Sequence, residues 1–164
     1  MDWNLKLLYK NLDDPQILKD TKSSELAILE FVTKWKDNKG YLDNPKFLKI
    51  ALDEYEHLLD IYGVSIKPYY YTLLNKEINL NNKEIKARLN KLDHKVIKLE
   101  NDLQFFEISL SKISKEKQQE FINSPLLKEY KHFLEMLFAN SKYVLSDKEE
   151  KIFNITSKAS FSNW

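Results

Sequence analysis

Residues 85–113 read IKARLNKLDHKVIKLENDLQFFEISLSKI. The apolar side chains Ile85, Leu89, Leu92, Val96, Leu99, Leu103, Phe106, Leu110 and Ile113 follow one another at alternating spacings of four and three. A mean spacing of about 3.5 residues keeps one narrow stripe on the same side of an α-helix for about four heptads. Neither Gly nor Pro interrupts the run, so the pattern predicts one continuous helix over about residues 83–113. At a rise of ~1.5 Å per residue it is about 45 Å long. A helix so much longer than the globular average needs other helices laid against it. The expected fold class is all-α, an antiparallel helical bundle or array organised on this helix, with residues 1–164 as a single helical domain. The stripe reads as a packing seam, so an aspartate at Leu99 or Phe106 is expected to cost several kcal/mol.

Composition agrees with that reading. A chain of 164 residues can bury a core of its own. Aromatic residues make up 13% while Gly numbers 2 and Pro 4, which suits helices with short connections rather than a sheet rich in turns. With 26 basic and 25 acidic residues the net charge is +1, so no global field draws nucleic acid or an anionic membrane. Arg88 is the single arginine, which further lowers the case for bidentate phosphate or base recognition. The lack of Cys excludes disulfides and thiolate metal ligands. Residues Met1–Asn4 carry no basic segment leading into an apolar run, and no apolar stretch approaches membrane-spanning length. The expected location is cytoplasmic.

In chain order, Trp3, Leu5, Leu7, Leu8 and Tyr9 form a short apolar anchor. Asp14-Pro15 predicts a helix start, with Asp as the cap and Pro in the first turn. That helix carries Ile17, Leu18, Leu26, Ile28, Leu29, Phe31, Val32 and Trp35 and stops near Asn38-Lys39-Gly40. Asn44-Pro45 repeats the signal for a helix ending at Gly63, and Pro68 opens a third that bears Tyr69, Tyr70 and Tyr71 and runs to Ile78. Of those tyrosines one or two should be core, because consecutive helical residues point about 100° apart. Asn79–Asn82 breaks the pattern before the seam helix. Ser114 caps a short helix, and Ser124-Pro125 starts another through Leu126, Leu127, Tyr130, Phe133, Leu134, Leu137 and Phe138 to Asn140. Ser146 and Glu149 have capping-box spacing before Ile152, Phe153 and Ile155. An exposed apolar patch is expected around Phe153, Phe161 and Trp164.

Two motifs suggest a metal. Glu54 with His57 and Glu129 with His132 have the Glu-x-x-His spacing that ferritin-like bundles use for two metal ions, completed by Glu from other helices. Glu30, and Glu100 or Glu107, are available for that role. On a helical wheel centred on Tyr55, however, Glu54 falls at about −100° and His57 at about −160°, and the second pair repeats these angles about Tyr130. Both pairs therefore lie off the apolar stripe and read as surface residues. His94 has no second ligand near it in sequence. There is no His-Glu-x-x-His, no Gly-rich phosphate loop, no Gly-x-Ser-x-Gly elbow and no Cys nucleophile. Pairs such as Glu84 with Arg88 are spaced as solvated helix-face ion pairs.

Trp3-Asn4-Leu5 with Leu8-Tyr9 and Asp13-Asp14-Pro15, Ala51-Leu52 with Tyr55-Glu56 and Leu59, the tyrosines around Tyr70, and Asn101 to Phe106 occur in a telling order. So do Pro125-Leu126-Leu127, Tyr130, Leu134, Lys142 to Ser146, and Glu149 to Ile152. Together they resemble the helical N-terminal region of oligoendopeptidase F-type zinc metallopeptidases, in the thimet oligopeptidase-like superfamily. The resemblance implies a wall of a closed channel that admits short peptides to a zinc ion. In that family His-Glu-x-x-His and a later Glu hold the zinc, several hundred residues further along. No catalytic, cofactor-binding or metal residue therefore carries over, zinc is expected only in the catalytic part, and this chain alone is expected to be inactive. The implied partner is the catalytic segment of the parent peptidase, with oligopeptides bound only by the complete enzyme. A stand-alone helical interaction module and a di-metal bundle enzyme are the alternatives.

Overall fold

The computed structural model describes residues 4–63, 67–141, 149, 152 and 156. The chain is all-α, and no strand occurs among the described residues. The helices are α1 (Pro15–Trp35), α2 (Pro45–Gly63), α3 (Lys67–Ile78), α4 (Lys83–Ser111), α5 (Lys115–Asn123) and α6 (Lys131–Asn140). Short 3-10 segments occupy Leu5–Leu7, Lys39–Leu42 and Pro125–Tyr130.

Side-chain caps set the helix starts. The Asp14 carboxylate accepts from the Gln16 and Lys10 amides, both at 2.9 Å. Asn44 accepts from Lys46 N at 2.9 Å, Asn82 from Glu84 N and Ile85 N at 3.0 and 3.1 Å, and Ser114 from Lys117 N at 3.3 Å. Each takes up amides that no helical carbonyl can reach. Pro15 and Pro45 stand where a missing N–H costs nothing. Backbone hydrogen bonds from Lys10 and Gln16 hold the Asp14 carboxyl below its ordinary value of 3.8. A depressed carboxylate pKa adds stability that is present above the ordinary value and lost as pH falls through the folded one. The start of α1 is therefore expected to loosen below that range, with faster amide exchange at Gln16. An Asp14→Asn variant whose Gln16 exchange kept the same acid dependence would contradict this.

Two of the expected boundaries move. Gly40 does not end α1, which stops at Trp35; it lies in the 3-10 segment, with no positive φ to exploit. Ser124-Pro125 starts a 3-10 segment rather than a long α-helix, because Leu127 leaves helical geometry at φ −106° and ψ 15° and the α-helix resumes only at Lys131.

The chain forms two compact units, residues 1–30 with 55–100 and residues 31–54 with 101–164. In the first, Tyr9 and Tyr71 are buried with their rings edge to face, 5.1 Å apart at 76°. Ile28, Tyr55, Leu58, Pro68, Thr72 and Ile85 are buried in the same unit. The Tyr9 hydroxyl donates to Asp20 at 2.6 Å, and burial first, then that carboxylate, pushes its pKa far up, so it stays neutral. Leu7, expected in the apolar anchor, is 84% exposed; Tyr9 does the anchoring, and Trp3 lies outside the described residues. Tyr70 is exposed and Tyr69 half-buried, so one of the three consecutive tyrosines is core.

In the second unit the core is Phe31, Trp35, Tyr41, Leu48, Ala51, Leu52, Phe105, Phe106, Ile108, Leu110, Phe121, Leu127, Leu134 and Phe138. Phe106 packs on Tyr41 with centroids 5.1 Å apart and meets Phe31 edge to face at 5.4 Å. The Trp35 indole N–H donates to Glu54 at 2.9 Å.

Within these units the heptad stripe is not uniformly buried. Ile85, Phe106 and Leu110 are buried, whereas Leu89, Leu92, Val96, Leu99, Leu103 and Ile113 are half-buried. Phe105 and Ile108, off the stripe, are buried as well. The last turns of α4 thus bury a broad arc and its earlier turns only part of a narrow one. An aspartate at Leu99 should cost much less than one at Phe106.

Candidate functional site

A groove of about 470 Å³ lies in the first unit. Its apolar lining comes from Leu12, Pro15, Ile17, Leu18 and Leu92. Arg88, Lys91 and Lys95 stand along one side of α4, where spacings of three and four stack them on one face.

Arg88 organises this region. Its guanidinium donates to the Leu12 carbonyl at 2.6 Å and to the Asp13 and Glu84 carboxylates at 2.7 Å each. A planar fork with several donors suits this three-way clamp, and a lysine would not reproduce it. It ties the segment before α1 to α4 and so shapes the mouth of the groove. Asp13 and Glu84 raise the Arg88 pKa further, which leaves it charged at any relevant pH. Lys95 pairs with Glu25. Both lining hydroxyls are turned to their own helices, Thr21 to the Ile17 carbonyl at 2.7 Å and Thr72 to that of Pro68 at 2.8 Å. Asp14 is occupied in capping. With both hydroxyls so engaged, the groove's leucine, isoleucine and proline side can receive an apolar group.

The Glu-x-x-His residues are not brought together as a metal centre. Glu54 accepts from the Trp35 indole and from Lys34, and His57 is exposed. Glu129 is 80% exposed by its side chain and lies 3.9 Å from Lys49, while His132 is exposed. The wheel about Tyr130 assumed one helix; in fact Glu129 belongs to the 3-10 segment and His132 to α6. Glu30, Glu100 and His94 are exposed, and Glu107 is half-buried. Partial desolvation raises the Glu100 carboxyl above its ordinary value. Among the described residues no group of three or more His, Asp or Glu side chains is placed to hold a metal ion. Purified protein is expected to carry no stoichiometric transition metal after mild chelation. About two iron or manganese ions per chain, lost in a Glu54→Ala, Glu129→Ala variant, would contradict this.

The expected helix start at Ser146 and the patch around Phe153, Phe161 and Trp164 lie outside the described residues. Ile152 is described and is 61% exposed. Among the described residues no helix is long and apolar enough to cross a membrane.

The described residues are thus all-α, with a groove in the first unit and no cluster of metal-ligating side chains among them. Comparison with known proteins gives the chain a family resemblance. Residues 109–164 match a model for the N-terminal part of a peptidase family, described as Oligopeptidase F. An oligoendopeptidase F homolog of Borreliella burgdorferi is 29% identical over 150 residues, covering 92% of this chain and 24% of that protein. The plasmid-encoded oligoendopeptidase F of Lactococcus lactis subsp. cremoris is 28% identical over 153 residues, 93% of this chain and 24% of its own length. No solved structure matches significantly. The chain is thus similar over nearly its whole length to oligoendopeptidase F-type peptidases, and it spans about a quarter of the length of the curated relatives it matches.

Proposed function

We propose that this chain is the substrate-channel wall of an oligoendopeptidase F-like zinc metallopeptidase acting on short peptides, and that it is not catalytic by itself. The observation that carries the reading is the match of 92% of the chain to 24% of a much longer relative. It is supported by a groove lined by leucines and by lysines, which can guide a peptide but cannot cleave one. On this reading the whole chain works as one domain, the catalytic segment is its partner, the zinc is held by that segment, and the compartment is the cytoplasm. The expected result is that the isolated chain does not cleave a fluorogenic oligopeptide, with or without added zinc. Turnover that rises with chain concentration and survives removal of trace proteases would overturn the proposal.

A further inference from the structure

The α1 helix is apolar on two sides. One side carries the buried Ser24 and Ile28. On the other, Leu18, Leu26 and Leu29 are 58%, 60% and 60% exposed. At about 100° per residue these three leucines fall in one arc of about 80°, centred about 160° from Ser24 and about 120° from Ile28. Lys22 lies within the arc, and its aliphatic stem can run along the leucines. Scattered exposed leucines need no explanation, but a row along one helix face marks a surface that something covers. Leu18 also lines the groove beside Leu12, Pro15, Ile17 and Leu92, so the row starts at the groove.

We infer that the Leu18, Leu26 and Leu29 face of α1, with the groove at its start, is the surface on which the remaining polypeptide of an oligoendopeptidase F-like protein docks. The inference rests on the functional reading above and adds the face to it. Two observations favour this occupant over a second copy of the chain. The relatives are about four times as long as the matched region, so most of their polypeptide is available to cover a surface here. Three leucines and one groove are also a small area for two separate chains, because stable interfaces bury about 1,200–2,000 Å². The same leucines suffice within one polypeptide, where covalent connection keeps the local concentration high.

The chain contains no Cys, so single thiols report directly on exposure. Leu26→Cys and Leu29→Cys are introduced into the isolated chain and into a chimera in which this chain replaces the matched region of the Lactococcus lactis protein. Lys86→Cys, on an exposed position of α4, is the control. Alkylation is followed by peptide mass spectrometry, which separates any thiols native to the relative. In the isolated chain all three are expected to label quickly, because thiol reactivity follows exposure. In the chimera labelling at Leu26→Cys and Leu29→Cys is expected to slow by about tenfold or more as the positions become covered, with Lys86→Cys unchanged. Undiminished labelling in a chimera with a cooperative melt would overturn the assigned face and leave the wall reading standing. A chimera that does not fold would overturn both. Slow labelling in the isolated chain that is relieved by dilution would make a second copy the occupant and overturn the inference.

Discussion

Replacing Phe106 by alanine is expected to cost about 3–5 kcal/mol, a large part of the 5–15 kcal/mol that typically holds a domain together. The ring is fully buried and has Tyr41 at 5.1 Å, Phe31 at 5.4 Å and Phe105 at 6.4 Å. Its removal leaves a cavity among rigid neighbours that cannot collapse into it. Tyr41 is itself fully buried, and that burial pushes its phenol pKa upward. Phe106→Asp adds an unpaired charge at the same place and should abolish cooperative unfolding. Leu99→Asp, at a half-buried position, should shift the midpoint far less. Urea titrations of the three variants followed by circular dichroism check the order. Equal midpoints for Phe106→Ala and Leu99→Asp would show that the last turns of α4 do not hold the second unit.

Trp35→Ala is expected to have the second largest effect, again about 3–5 kcal/mol. The indole is 2% exposed, meets Tyr41 edge to face at 5.9 Å and donates to Glu54 at 2.9 Å. Trp35→Phe keeps much of the packing but removes the donor, and should cost about 1–3 kcal/mol. Glu54→Gln, which can still accept from the indole, should cost less than Trp35→Phe. The comparison also tests why Glu54 is where it is. If Glu54→Gln proved as damaging as Trp35→Ala, its ion pair with Lys34 would outweigh the indole contact.

Much of the helical layout is legible in the sequence because its signals are local. Asp14-Pro15, Asn44-Pro45 and Ser114 each place a side-chain acceptor before a helix, and each caps one in the structure; Asn82, read only as part of a break, caps α4 as well. Ser124-Pro125 carries the same signal but opens a 3-10 segment, in which the buried Leu127 leaves helical geometry. The leucines of α1 show a deeper limit. Leu18 and Ile28 are equally apolar letters, and only the assembled unit decides that Ile28 is covered and Leu18 is not. The groove was unreadable for the same reason, because Leu12 and Leu92 come together across some eighty residues. Glu54, read as a surface residue off the apolar stripe, is half-buried and accepts from the Trp35 indole, a partner that spacing along one helix does not show. The family resemblance was legible because it depends on the order of many loose motifs, which the comparison with whole relatives also samples.

The most direct measurement is fluorogenic oligopeptide turnover by three proteins: this chain alone, the Lactococcus lactis protein with its matched region deleted, and the chimera that carries this chain in that region. The chimera is expected to fold and cleave the peptide, while the other two show no turnover above buffer. Cleavage by the chain alone, or a cooperatively folded chimera without activity, would contradict its assignment as a non-catalytic wall of such a peptidase.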